Sequence, residues 1–252
     1  LITIAVTILP VYFLFAYLKN INLVIYILLA GLLLKSTFSL RGLRQAVNTV
    51  RELLARDELV KARICLTSLV SRNTATLNHS QVISATVESA AENICDSFVA
   101  PVLYFLLFGL PGAVAFRVVN TFDAMIGYHG EFEYLGKFAA RLDDVANFLP
   151  ARITALLLVL ASSICKKNTS HAWHIMVRDH RKTESPNAGW PMSAIAGALE
   201  VQLEKAGHHK LGDNHSPLSL DTIDSSQKMI FVAAIIWSLL CILTGVIYFA
   251  AT

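Results

Sequence analysis

Charge is what this sequence has least of. Asp, Glu, Lys and Arg together make up 15% of its 252 residues, where soluble domains carry roughly 25%. That shortage excludes an ordinary soluble domain. The net charge is only +3, too small to argue for nucleic acid, and the basic residues gather between apolar runs as topology signals do. Cysteine is sparse as well. Cys65, Cys95, Cys165 and Cys241 stand alone at long spacings, so neither a zinc site nor a disulfide framework is indicated and all four read as reduced thiols. No Walker A sequence, GxGxxG or GxSxG is present, which argues against a P-loop nucleotide site and a serine-hydrolase elbow. The chain opens in apolar sequence with neither Met nor a basic flank, a start that reads as trimmed rather than as a signal peptide.

What is abundant is apolar and comes in blocks. Hydrophobic residues are 55% of the chain and the mean hydropathy is +0.56. Five runs stand out at about 1–18, 21–38, 98–119, 148–164 and 229–251, against the ~20 residues a membrane span needs. The expected fold is all-α: a polytopic integral membrane helical bundle, one membrane domain over 1–252, with amphipathic or interfacial helices and polar regions at 40–97, 120–147 and 166–228. The third run is interrupted by Pro101 and by Gly109-Leu-Pro-Gly112, a pattern of segments that line a cavity or turn back. The fourth begins at Pro150, as if in the first turn of a helix.

Leu40, Leu43, Val47, Val50, Leu53 and Leu54 recur at helical steps, with Arg41, Arg44, Arg51 and Arg56 between them. This predicts an amphipathic helix, lying on the membrane surface or packed against the bundle. Asp57 is the expected N-cap of a second helix over 58–70. Ser185–Trp190 (SPNAGW) signals a turn or loop, and 195–203 a short helix. His171 and His174, three apart, make a poor metal signature, and His208-His209 in a Lys-rich stretch reads as solvated.

The acidic residues are more suggestive. Glu88, Glu92 and Asp96 fall every four residues, one stripe of a helix whose like charges repel. Spacing alone favours a solvated face, and a bound cation would make it a site. Asp123, Glu131, Glu133, Asp143 and Asp144 crowd a stretch pinned between apolar runs. On a helix Asp143 and Asp144 lie near Asn147, with Arg141 one turn earlier. Carboxylates beside an amide and a guanidinium suit Mg²⁺ and phosphate, or they cap and pair a surface helix. Topology conflicts with itself. If 98–119 and 148–164 both cross, Lys/Arg counts of eight, three and eight in 35–97, 117–147 and 166–228 put the acidic stretch outside. One shared site would instead need the polar stretches on one side.

Taken together, SRNTATL (71–77), ESAAENICDSFVAPVLYF (88–105), VNTFDAMIGY (119–128), ARLDDVANFLPAR (140–152), SPNAGWPMSAIAGAL (185–199) and, more loosely, LSLDTIDSSQKMI (218–230) resemble the CobD/CbiB family of cobalamin biosynthesis. The chain departs from it in Arg72-Asn73-Thr74, where the family usually has Arg-Asp-Thr, in segment 200–213, and in lacking the family's N-terminal GDP and HP motifs. The resemblance implies an adenosylcobinamide-phosphate synthase. That enzyme forms an amide between adenosylcobyric acid and (R)-1-aminopropan-2-ol or its O-phosphate, with ATP as co-substrate and Mg²⁺. It would sit in the cell's inner membrane with its site facing the cytoplasm, among other membrane-associated enzymes of the route and with no nucleic-acid partner.

On that reading Asp123, Asp143 and Asp144 are the expected metal ligands or bases, and Glu88 and Glu92 further ligands or amine-recognition groups. Arg72, Arg141 and Arg152 would meet phosphate or the corrinoid carboxylate. Asn93, Asn120, Asn147 and Asn187 would meet corrin amides, with Thr74 and Ser185 beside them. A corrinoid transporter and a non-catalytic membrane relative are the rival readings.

Overall fold

The structure is a computed structural model and describes residues 2–126 and 133–251. Glu131 lies outside the described residues, as does the side chain of Glu133. The helices are α1 (Ile2–Ile21), α2 (Leu23–Ser36), α3 (Leu40–Ala55), α4 (Leu59–Leu66), α5 (His79–Ile94), α6 (Ala100–Ile126), α7 (Glu133–Ile164), α8 (Thr169–Asp179), α9 (Gly189–Leu199) and α10 (Leu220–Ala251). A π-helical turn, Cys95–Val99, joins α5 to α6, and a two-stranded antiparallel hairpin, β1 (Leu203–Lys205) and β2 (His209–Leu211), follows α9. By length and composition, five helical stretches are apolar enough to cross a membrane: Thr3–Ile21, Leu23–Ala55, His79–Met125, Gly136–Ile164 and Leu220–Ile247. The protein is thus a mostly helical, multi-pass membrane protein. The chain divides into two compact units, one of 1–39 with 96–150, the other of 40–95 with 151–252.

In the first unit α1 runs through Lys19-Asn20 to Ile21, and the break falls at Asn22, whose side chain accepts from the Val24 and Ile25 amides. Large apolar side chains on α1 and α2, among them Phe13, Val24 and Leu32, are exposed, as suits helices solvated by lipid. α6 is not one rod. Gly109 has φ +67° and ψ −159°, a region essentially closed to other residues, and the chain reverses there. The Tyr104 ring stacks on Phe116 with centroids 5.3 Å apart, whereas twelve residues of straight helix would part them by about 18 Å. The interrupted third run is therefore a helical hairpin that turns back.

Proline sets how this unit is stitched together. A proline inside a helix frees the carbonyl four residues before it. Pro101 frees that of Ser97, which accepts from the Ser39 amide at 3.0 Å. Pro150 frees that of Ala146, and the Tyr104 hydroxyl donates to it at 3.0 Å. Pro150 thus sits inside α7 and does not start a helix as expected: the bond it forfeits is replaced from the hairpin.

The second unit is built around α5, whose residues from Val82 to Ala91 are all buried. Its small residues (Ser84, Ala85, Ser89, Ala90 and Ala91) let α3, α4, α9, α10 and β1 pack on it. α3 buries Val47, Val50 and Leu54 against α5 and α10, so the amphipathic helix packs into the bundle. Asp57 is not an N-cap. It takes a left-handed conformation (φ +59°) that ends α3, and Glu58 occupies the cap position. Region 166–228 is also more ordered than a loop. α8 packs on α9, and Ile175, Met176, Ile195, Leu203 and Leu211 are fully buried. The helix expected over 195–203 ends at Leu199, because Glu200 turns left-handed (φ +56°) and leads into β1.

Candidate functional site

Each unit holds its own polar clusters. In the first, the return half of the α6 hairpin brings Asn120 between two carboxylates. Its side-chain amide donates to Asp96 Oδ2 at 3.3 Å and to Asp143 Oδ1 at 3.5 Å. Asn147, one turn along α7, donates to Asp143 Oδ2 at 2.9 Å, and Arg117 donates to Asn120 Oδ1 at 3.2 Å. Two amides thus fix the Asp143 side chain, that of Asn147 at the four-residue spacing of a helix. Asp123 and Asp144 are half-buried and near enough for their charges to bear on Asp143. Asp96 joins this cluster although only the acidic stripe had drawn attention to it: the π-helical turn rotates it off the α5 register of Glu88 and Glu92. Arg141 is exposed and is not brought to Asp144 among the described contacts.

Glu88 anchors the second cluster. It is 4% exposed, which overturns the solvated-face reading of the acidic stripe. Ser84 donates to its Oε1 at 2.7 Å, and Arg72 Nη2 lies 3.4 Å from its Oε2. His209 on β2 approaches the same oxygen to 3.6 Å with its side chain buried, so its expected solvation is also wrong. Lys-rich sequence around a three-residue strand carries no periodicity that would have shown which way His209 points. His208 is the exposed neighbour, 2.8 Å from Glu184. The Nε of Arg72 and Nε2 of His209 are buried without a hydrogen-bond partner among the described residues. Glu92 and Asn93 are half-buried. Asn93 donates to the Ser89 carbonyl and hydroxyl, and Thr74 is buried, donating to the Arg63 carbonyl at 2.8 Å.

The third cluster gathers on the SPNAGW segment. Arg152 donates to Asn187 Oδ1 at 3.1 Å, and its guanidinium lies 4.9 Å over the Trp190 ring, which stacks on His180 at 3.9 Å. The Ser185 hydroxyl accepts from the Asn187 and Ala188 amides, closing the turn that presents Asn187. Trp190 was in view only as part of a turn signal; its ring completes a planar slot for Arg152.

Among the described residues, the compact grouping of three metal-capable side chains is His171, Asp213 and His215, not His171 with His174. Arg178 already donates to both Asp213 oxygens, at 3.1 and 2.9 Å. The group therefore reads as an ion-paired brace holding the segment after β2 to α8. Asp123, Asp143 and Asp144 do not form so tight a set among the described residues. Mg²⁺ asks less, however, keeping most of its waters and taking one or two carboxylates. Asp143 and Asp96, which share the Asn120 amide, are carboxylates of the kind it takes.

A helical, multi-pass membrane protein with carboxylates buttressed by amides inside its helices is the class these features define. Within that class the chain belongs to the CobD/CbiB family, whose profile matches residues 1–249. It is 52% identical over 248 residues to the Cobalamin biosynthesis protein CobD of Dehalococcoides mccartyi (strain CBDB1), covering 98% of this chain and 80% of that one. The Probable cobalamin biosynthesis protein CobD of Methanothermobacter thermautotrophicus is 42% identical over 214 residues, covering 84% and 72%. That of Thermoplasma volcanium is 36% identical over 226 residues, covering 88% and 73%. No solved structure matches the chain.

Proposed function

We propose that this protein is the adenosylcobinamide-phosphate synthase of cobalamin biosynthesis. It joins the carboxylate of adenosylcobyric acid to the amine of (R)-1-aminopropan-2-ol or its O-phosphate, with ATP as co-substrate, at the cytoplasmic face of the inner membrane. Family membership supports the substrate class. The single structural observation that carries the chemistry is Asp143, fixed by the Asn120 and Asn147 amides beside Asp96.

A carboxylate does not condense with an ammonium in water. It must be activated by phosphoryl transfer from ATP; the neutral amine then attacks the carbonyl carbon, phosphate leaves with the acyl C–O electrons, and a base takes the amine proton. Mg²⁺, when bound, offsets phosphate charge. Asp96 and Asp143 are the residues that would hold it, with Asp123 and Asp144 adding negative charge nearby. Asn120 and Asn147 are positioning residues in this reading, because their amides are committed to the carboxylates rather than to corrin amides. Asn187 likewise holds Arg152, whose guanidinium is suited to an anionic substrate group. Glu88, fixed by Ser84 and Arg72, is suited to recognise an ammonium.

The test is product formation in a cobalamin auxotroph blocked at this step and fed cobyric acid and aminopropanol phosphate. The parent gene should yield cobinamide phosphate by mass spectrometry. Asp143→Asn, at equal membrane abundance, should lower it by about a hundredfold or more. The broken α6 hairpin favours one rival, since transporters place interrupted segments at their sites. Uptake of labelled corrinoid without amide formation, with ethanolamine phosphate also tried, would decide for transport. Undiminished product from Asp143→Asn would keep the synthase and remove Asp143 from its site.

A further inference from the structure

In the second unit, α3, α5 and α10 enclose a groove of about 530 Å³ that no step of the proposed reaction uses. Its floor is apolar: Leu40, Leu43 and Val47 from α3, Ala90 from α5, Ile230 and Phe231 from α10. Its rim carries Arg41, Arg44 and Lys228. All three are exposed and form no ion pair among the described residues. The one carboxylate on the rim, Asp224, is already taken by Arg51 in a two-pronged pair at 3.0 and 2.7 Å. Gln227 donates to Asn48 at 2.8 Å beside it, closing the polar side of the groove. The rim therefore offers uncompensated positive charge.

Its depth can be read from the sequence of α10. Lys228 is the last charged residue before an uncharged run from Met229 to Ala251, so the water–lipid boundary falls beside it. Phe231, one turn further along, is 55% exposed, on the acyl side of that boundary. The same groove thus presents cations at headgroup level and an apolar trough below them. A soluble anion would use the rim and leave the trough wet; a zwitterionic lipid would fill the trough and leave the rim uncompensated.

We propose that this groove binds one anionic phospholipid, its phosphate against Arg41, Arg44 and Lys228 and an acyl chain along Leu43, Val47, Ile230 and Phe231. The lipid braces α3 against α10, and the inference is independent of the synthase reading.

The test is native mass spectrometry of the full chain released from detergent micelles doped with equal phosphatidylglycerol and phosphatidylcholine. One phosphatidylglycerol should be retained in preference to phosphatidylcholine. Each charge removed among Arg41→Gln, Arg44→Gln and Lys228→Gln should weaken retention roughly fivefold, the share of one basic residue at an anionic surface. Leu43→Trp, which fills the trough and leaves the charge intact, should also abolish it, and circular dichroism identifies any variant that fails to fold. Equal retention of the two lipids would overturn the proposal, as would retention indifferent to Leu43→Trp in folded protein. Displacement of the lipid by millimolar inorganic phosphate would overturn it too, and reassign the rim as a plain anion site.

Discussion

Asp179 shows what one buried carboxylate does in the ordered polar region. Its side chain is fully buried, and burial works to raise its pKa. Hydrogen bonds from Arg178 and Lys182 and from the Gly212 amide outweigh that and hold it at about 2. The Gly212 amide can reach it because Gly212 has φ +80°, where a Cβ would also run into the Val201 carbonyl. A folded-state pKa below the unfolded value near 3.9 contributes stability that is full above pH ~4 and is lost as pH falls towards 2. The shift corresponds to about 2–3 kcal/mol. Asp179→Asn should lose that much at neutral pH in thermal unfolding, and its stability should fall less than the parent's between pH 4 and 2. Parallel pH profiles would sink the assignment. A larger effect is expected at Glu88. Arg72→Ala leaves a buried carboxylate without its cation and should cost about 3–5 kcal/mol, read by urea titration, with Glu88→Gln in the same background recovering part of it. Residue type was legible in the sequence for Asp143 and Asn147, because four-residue spacing on a helix sets their contact. It was not for His209 or Asp96: one depends on the facing of a very short strand, the other on a single π-helical turn.

The elements were legible where hydrophobic period decided them and not where a local backbone device did. α3 follows from its apolar stripe, and α10 from its uncharged run. The hairpin in α6 was visible only as an interruption; its reversal comes from the Gly109 backbone. Gly109→Ala would place a Cβ in a conformation costing about 1–3 kcal/mol, with only an ordinary contact to Pro111 Cδ at 3.8 Å, so the loss is conformational rather than steric. A melting shift of that size is expected, while an unchanged melt would mean the turn relaxes elsewhere. Pro150 misled for a related reason. Proline interior to a helix is unfavourable in isolation, and only the Tyr104 hydroxyl arriving from another element makes it tolerable. Tyr104→Phe should therefore destabilise by about 1–3 kcal/mol by leaving the Ala146 carbonyl unmet. The Pro150→Ala, Tyr104→Phe double variant should recover most of that loss, because the helix then satisfies its own carbonyl.

For the whole molecule, the topology conflict in the sequence turns on what 98–119 does. Counting it as a crossing strands the acidic stretch on the far side. The packed second unit argues otherwise. α5 lies against α9 and β1, and α3 against α10, so regions 40–95 and 166–228 belong to one folded body, which predicts that their loops open on one face of the membrane. The hairpin at Gly109 makes no net crossing, since Asn120 returns to the level of Asp96. With eight Lys/Arg in 35–97 and eight in 166–228, the cytoplasmic placing proposed above accords with the positive-inside rule. In a cysteine-free background, Lys61→Cys and Lys210→Cys should be labelled from the same side of oriented vesicles by a membrane-impermeant maleimide. Ser39→Cys and Thr121→Cys, at the two ends bracketing the hairpin in the first unit, should be labelled from one side as well. Opposite-side labelling of the first pair would mean the second unit does not fold as one body in a bilayer. For the second pair it would mean that the third apolar run crosses after all, and Asn120 could not return to Asp96.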